Sequence, residues 1–338
     1  MAGSGLGIAV FGTGRIGRMH AELIAHRVPG ARLAGVFDVA AGAAEAVASE
    51  LGCARFASVD EALAAEGVDA VAICTSTDTH VELVVEVTEA GKAILCEKPV
   101  SLDLIQVDRA LAAVASAGVP FQVGFNRRFD RAHRAVAEAV AAGRIGEVHL
   151  VRITSRDPAP PPIAYIEVSG GLFLDMTIHD FDMARFVTGS EVESVHAVGA
   201  VRVDPAIGEA GDIDTAVVTL EHTNGAITTI DNSRRAVYGY DQRVEAFGSA
   251  GMVASHNPPA HTTVSHDESG GHAATLPHFF LDRYVPSYVA EWEAFVAAVS
   301  QGTPVPVDGV DGRAPLVIGL AAREAMRLRR PVRCDEIG

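Results

Sequence analysis

The chain has 338 residues, 49% of them hydrophobic and 21% charged, with a formal net charge of -16. The length favours two domains over one, and so acidic a balance argues against nucleic acid or an anionic membrane as a partner. No stretch approaches the roughly 18 apolar residues that span a bilayer. The first apolar run has no basic region ahead of it, which argues against a signal peptide. Cys53, Cys74, Cys96 and Cys334 show no CxxC spacing, as expected of free thiols in a reducing compartment, so the expected location is the cytoplasm.

In chain order, the apolar run 6–11 leads into Gly12-Thr13-Gly14-Arg15-Ile16-Gly17 and then a helical pattern through Met19, Leu23 and Ile24. This strand, GxGxxG turn and helix form the context in which such glycines bind a pyrophosphate: tight turn, close approach, close packing. The next apolar run, 33–37, ends at Asp38. A carboxylate at this place accepts ribose hydroxyls and repels a 2′-phosphate, so NAD is expected rather than NADP. Helix and strand patterns then alternate through residue 123, which implies a doubly wound parallel sheet. Thr75, Ser76, Thr77 and His80 stand at the C-terminal end of one strand, where ligands bind in such sheets; a helix N-cap by Thr77 or Asp78 is the competing reading.

The run Ala93-Ile94-Leu95 stops at Cys96-Glu97-Lys98-Pro99. Among 27 basic residues only Lys92 and Lys98 are not arginine. Unlike arginine, a buried lysine can exchange a proton near neutral pH, so Lys98 is either a strand cap or a working group.

After residue 124 the character changes. Phe125-Asn126-Arg127-Arg128-Phe129 leads into a helix to Ala142, and alternating runs place strands at 147–156, 193–203, 213–222, 226–235, 241–247 and 251–255. The second domain, 125–338, is therefore expected to be α+β with an open, mostly antiparallel sheet, the first being 1–124. The run 157–162, Asp157 followed by four prolines around Ala159, reads as stiff and extended. The histidine-bearing stretch 256–278 reads as a solvated loop, since its spacings fit no compact metal site. Helices over 285–300 and 312–330 close the chain and are candidates to pack back on the first domain.

The densest polar cluster in an apolar frame is 170–185. Asp175 and His179 are four apart, so a helix would put them on one face, where a carboxylate orients an imidazole for general-base work. A metal site using Asp175, His179, Asp180 and Asp182 lacks a familiar ligand motif, and no metal is expected. A purely structural histidine remains the bland alternative.

With GTGRIG at 12–17, Cys-Glu-Lys-Pro at 96–99, GFNRRF at 124–129 and Asp175-x-x-x-His179, the chain resembles the Gfo/Idh/MocA family of oxidoreductases over nearly its whole length. The stretches 171–185 and 238–245 are similar to those of inositol-oxidising members; the proline run departs from the pattern. The resemblance implies Lys98, Asp175 and His179 as catalytic trio and Gly12, Gly14, Gly17 and Asp38 as NAD site. Thr13, Arg15, Ile16, Thr75, Ser76, Thr77, His80, Glu97 and Lys98 would border the cofactor. Lys98, Asn126, Arg127, Asp157, Asp175, His179 and Tyr238 or Tyr240 would meet the substrate. It also implies a Lys98–Pro99 bond that is often cis, and homotetramers built through the open sheets. The expected reaction is reversible NAD-dependent oxidation of a cyclic polyol hydroxyl, myo-inositol first. Alternatives are scyllo-inositol, D-chiro-inositol or a pyranose, lysis assisted by transient oxidation, and an NAD(H) sensor without chemistry.

Overall fold

The computed structural model describes residues 5–338. The chain divides into two compact units, one comprising residues up to Asn126 with Ser287–Ala314, the other Arg127–Pro286 with Pro315–Gly338. A single boundary near 124 is thus too simple: the chain crosses at 126/127 and twice more within its last two helices. Among the described residues no helix is long and apolar enough to cross a membrane.

Unit one begins β1 (Leu6–Phe11), α1 (Arg15–His26), β2 (Ala31–Phe37), α2 (Ala41–Leu51), β3 (Ala54–Arg55) and α3 (Val59–Ala64). It continues β4 (Ala70–Ile73), α4 (Thr77–Glu89), β5 (Ala93–Glu97), α5 (Leu104–Ala117) and β6 (Phe121–Gly124). All pairings are parallel, in the order β3-β2-β1-β4-β5-β6. Ile8 to Phe11, Ala70 to Ile73 and Ala93 to Cys96 are wholly buried, which is why these strands read as unbroken apolar runs rather than alternating ones. The order reverses between β1 and β4, and ligands bind beyond the strand ends at such a switch point.

Unit two opens with a 3-10 turn over Asn126–Phe129 and continues α6 (Arg131–Ala141), β7 (Val148–Arg156), α7 (Ile163–Ile166), α8 (Gly171–Asp175) and α9 (Ile178–Thr188). There follow β8 (Val192–Ala200), α10 (Pro205–Glu209), β9 (Thr215–His222), β10 (Ile227–Ser233), β11 (Asp241–Gly248) and β12 (Gly251–Ser255). The hairpin β13 (Val264–Asp267) and β14 (Gly270–Ala273), the helices α11 (Phe280–Gln301) and α12 (Gly309–Leu328), and β15 (Val332–Arg333) complete the chain. The large sheet runs β12-β11-β7-β10-β9-β8-β15, antiparallel except for β7 with β10. On its inner face Val151, Ile153, Ile230 and Val244 form one core with Phe181 and Ala184 of α9 and Ile318 and Ala322 of α12. On its outer face Met252, Phe247, Leu150 and Ile227 lie in register across four strands and are exposed.

One expectation needs correction. The stretch 256–278 is not all loop, because its Asp267-Glu268-Ser269-Gly270 turn closes the β13–β14 hairpin. Residues 287–314 stand with unit one because α11 turns its apolar stripe to that unit: Trp292 Nε1 donates to His20 Nδ1 at 2.8 Å. Close approach adds to this, since a Cβ on Gly309 or Gly312 would come within 2.2 Å of Leu111 or 2.7 Å of Val123.

Candidate active site

In unit one the glycine loop is shaped by contact as well as by conformation. Gly12 has φ +88°, and a Cβ on it would lie 2.6 Å from the Cys74 carbonyl oxygen; on Gly17 it would lie 1.8 Å from the Gly12 carbonyl oxygen. At Gly14, by contrast, a Cβ would meet nothing within 4 Å. The space over Gly14 is therefore open to a ligand, and only a glycine lets that ligand reach the backbone. Gly14 and Arg15 are exposed and Ile16 partly so. No acidic side chain stands in the first turn of α1 and the N-cap makes no side-chain bond, which suits a helix N-terminus that meets a diphosphate.

Asp38 closes this loop. Its Oδ2 accepts from Thr13 N at 2.7 Å and from Thr13 Oγ1 at 2.9 Å, and its Oδ1 accepts from Ala40 N at 2.8 Å. Burial works against the charge, but these donors outweigh it and hold the carboxyl below its usual range. An ionised carboxylate at the end of β2 fits the adenosine ribose of NAD. The residues present thus fit the dinucleotide in glycine cradle, helix terminus and acid.

The segment beyond β4 is less directly engaged. Ser76, not Thr77 or Asp78, occupies the N-cap of α4, and it makes no side-chain cap bond; Thr75 Oγ1 instead pairs with Thr79 Oγ1 at 2.7 Å. Buried His80 has its Nδ1 2.9 Å from the Pro99 carbonyl and its Nε2 3.1 Å from the Thr75 carbonyl. Burial pushes its pKa down. Both ring nitrogens face backbone carbonyls, of which a neutral imidazole donates to one, so His80 ties its segment to the neighbouring backbone.

Lys98 follows directly on β5, partly buried, and its bond to Pro99 is cis. The preceding Glu97 accepts from His20 Nε2 at 2.8 Å. Because the Trp292 indole can only donate, His20 Nδ1 is the acceptor and Nε2 carries the proton toward Glu97. Composition and spacing did not reveal this three-member chain, whose ends are 195 positions apart in sequence. Asn126, also in this unit, is buried and its Nδ2 has no hydrogen-bond partner.

In unit two the site grows out of strand alternation. The inner-face row Ile153, Ile230 and Val244 is apolar, and two residues on, in register, come Ser155, Asn232 and Gln242. One further step in the same phase brings Asp157 and Arg234, with Tyr240 two residues before Gln242. The core face thus turns polar at one end of the sheet. Ser155 Oγ donates to Gln242 Oε1 at 2.9 Å, and Asn232 Nδ2 donates to Asp180 Oδ2 at 2.8 Å.

Arg127 enters this cluster from the opposite side. Its Nη1 donates to Asp180 Oδ1 at 2.6 Å and to Ser155 Oγ at 3.4 Å, and its Nη2 donates to Tyr240 Oη at 3.4 Å. Burial opposes its charge, but Tyr240, Tyr284 and Asp180 outweigh it and keep the guanidinium protonated. The neighbouring Arg128 is held in the same way by Asp182, with Nη2 2.6 Å from Oδ1. The Arg127-Arg128 pair is thus matched to the Asp180/Asp182 pair. Asp180 and Asp182, which fit no familiar metal motif, neutralise these buried arginines.

Asp175 and His179 do not share one continuous helix, as their spacing suggested. Asp175 ends α8, His179 is the second residue of α9, and Met176 and Thr177 intervene. The break has a cause: buried Thr177 donates its hydroxyl to Asn232 Oδ1 at 2.7 Å, which draws the chain toward β10 at that point. Asp175 is gripped on both oxygens, Oδ1 accepting from Tyr165 Oη at 2.8 Å and Oδ2 from Arg234 Nη1 at 3.2 Å. Asp157 is raised to about 6, by burial first and by Asp175 and Asp180 beside it, against Arg234 and Arg127. Of the two candidate tyrosines, Tyr240 belongs to this cluster. The hydroxyl of Tyr238 donates to Asp241 Oδ2 at 2.7 Å and accepts from Arg156 at 3.0 Å in a separate network.

A family model described as an oxidoreductase family with an NAD-binding Rossmann fold matches residues 6–125. One described as the GFO/IDH/MocA C-terminal domain matches 133–254. The chain is 48% identical over 331 residues to a myo-inositol 2-dehydrogenase of Thermotoga maritima, covering 98% of this chain and 99% of that protein. It is 47% identical to an inositol 2-dehydrogenase of Rhizobium meliloti, covering 96% and 97%. The solved structure of a scyllo-inositol dehydrogenase from Lactobacillus casei with bound NAD(H) and scyllo-inositol matches with a TM-score of 0.91 at 29% identity, covering 98% of this chain and 99% of that one.

Proposed function

The chain belongs to the Gfo/Idh/MocA family of NAD-binding oxidoreductases, and on that premise we propose that it oxidises one ring hydroxyl of an inositol to the ketone, myo-inositol at its 2-position being the leading substrate. The observation that carries the substrate class is the end-to-end likeness to two relatives named for that oxidation. The chemistry of the polar cluster agrees with it: hydroxyls, amides and compensated charges suit a neutral polyol better than an acid or a phosphate.

The Gly12–Gly17 loop and Asp38 would hold NAD, whose nicotinamide would supply the hydride acceptor. His179 takes the hydroxyl proton as the carbon–hydrogen bond breaks. Asp175 orients the imidazole and offsets the charge it acquires, and Lys98 hydrogen-bonds the reacting oxygen and stabilises its alkoxide character. Asn126, whose Nδ2 has no hydrogen-bond partner among the described residues, and Asp157 and Tyr240 address the remaining hydroxyls. Arg127, with its Asp180 partner, serves chiefly to hold Tyr240 and Ser155 in place.

The in-register apolar row on the outer face of the large sheet supports assembly through that face, and four chains pairing sheet to sheet is the arrangement we propose. Free cysteines and use of NAD support the cytoplasm as its location. The reading is tested by NADH formation from myo-, scyllo- and D-chiro-inositol and glucose, each with NAD and with NADP. Turnover of an inositol with NAD is expected. Tight NAD binding without turnover of any of the four would overturn the substrate assignment.

A further inference from the structure

Asp175 is gripped from two sides by residues that neither motif nor spacing pointed to. Arg234 continues the inner-face phase of β10 beyond Asn232 and is 1% exposed. Its Nη1 reaches Asp175 Oδ2 at 3.2 Å, while its Nη2 lies 3.7 Å from Asp212 Oδ2. A buried guanidinium is costly unless its neighbours use it, and Nε and Nη2 of Arg234 have no hydrogen-bond partner. The contact with Asp175 is thus its one hydrogen bond from the guanidinium. From the other side, Tyr165 of α7, a residue 47% exposed, donates to Asp175 Oδ1 at 2.8 Å.

We propose that Arg234 and Tyr165 are positioning residues for the reaction: together they fix the Asp175 carboxylate in direction and set how much of its negative charge is left to act on His179. This rests on the roles given above to Asp175 and His179. Tyr165 from α7 and Arg234 from the end of β10 hydrogen-bond Asp175, Asp157 beyond β7 is near enough to feel its charge, and Asp212 ahead of β9 lies 3.7 Å from Arg234. Two donors on one carboxylate drain part of its charge. Removing either strengthens the field at His179, favours the imidazolium, and moves to higher pH the point at which the base becomes available.

The test compares Tyr165→Phe, Arg234→Gln and Arg234→Lys with the wild-type chain, by steady-state kinetics over pH and by NMR titration of the His179 ring protons in the enzyme without substrate. Tyr165→Phe and Arg234→Gln are expected to lower kcat on the order of tenfold, to leave the KM for NAD unchanged, and to raise both the acidic limb and the His179 midpoint. Arg234→Lys, which keeps the charge, is expected to return the midpoint toward wild type. A His179 midpoint and acidic limb unmoved in both Tyr165→Phe and a folded Arg234→Gln would overturn the proposal. If Arg234→Gln does not fold, Tyr165→Phe decides alone, since its side chain lies at the surface. If the wild-type chain oxidises no inositol, the functional reading fails, and the NMR titration still decides whether these residues govern His179.

Discussion

Replacing Arg127 by Met, Asp180 by Leu, and both together tests how the polar end of the second unit is held. Asp180 is 0% and Arg127 6% exposed, and their charged atoms are 2.6 Å apart. The pair therefore lies outside the surface regime, where ion pairs contribute about 0–1 kcal/mol. Removing Arg127 leaves a fully buried carboxylate with Asn232 as its remaining donor. Removing Asp180 leaves a buried guanidinium against Ser155 and Tyr240. Each single change is expected to cost about 3–5 kcal/mol, while the double variant, with neither charge left over, costs less than either. Unfolding in urea followed by tryptophan fluorescence and by circular dichroism gives the cycle, with an expected coupling of about 3 kcal/mol. Single variants within about 1 kcal/mol of wild type, adding independently, would refute the argument.

Three other outcomes are expected. Gly14→Ala should leave thermal stability unchanged, because its Cβ meets no protein atom, yet weaken NAD binding measured by calorimetry; equal loss of both would mean that the open space has no ligand role. Asp157 has its pKa raised to about 6 from an unfolded value of about 3.9, so its ionisation opposes folding, absent below the unfolded value and complete above the folded one. Asp157→Asn should accordingly gain stability relative to wild type between pH 4 and 7, by at most about 3 kcal/mol, and a pH-independent difference in urea midpoints would contradict this. Phe247→Glu, in the exposed row of the large sheet, should lower the mass seen by sedimentation; an unchanged mass would remove that face as the assembly surface.

Much of the fold is legible in the residues because the first unit follows its hydrophobic pattern closely. Unbroken apolar runs become parallel strands, and GxGxxG with Asp38 lies where its chemistry requires. The strands of the second unit fall within a few residues of their expected ends, since alternation marks one buried face. The polar row Ser155, Asn232 and Gln242 was also readable as polar residues in the inward phase of three strands, though it was not read that way. What could not be read is tertiary. The fourfold spacing of Asp175 and His179 suggested a helix, but a single hydroxyl bond from Thr177 to a strand 55 positions away overrides local periodicity there. The chain order puts His80 at a ligand-binding strand end, while the backbone carbonyls that its ring nitrogens face are encoded by no side-chain pattern. Trp292 is wholly buried, and its indole N–H also fixes the tautomer of His20, a tertiary contact that no local pattern shows.

The proposed roles of Lys98 and His179 in the oxidation are tested most directly by turnover of myo-inositol in Lys98→Ala and His179→Ala alongside their affinity for NAD. The expected result is a fall in kcat on the order of 10²–10⁴ for each, with NAD affinity within a few-fold of wild type. Turnover that survives either substitution at the wild-type rate would contradict the assignment.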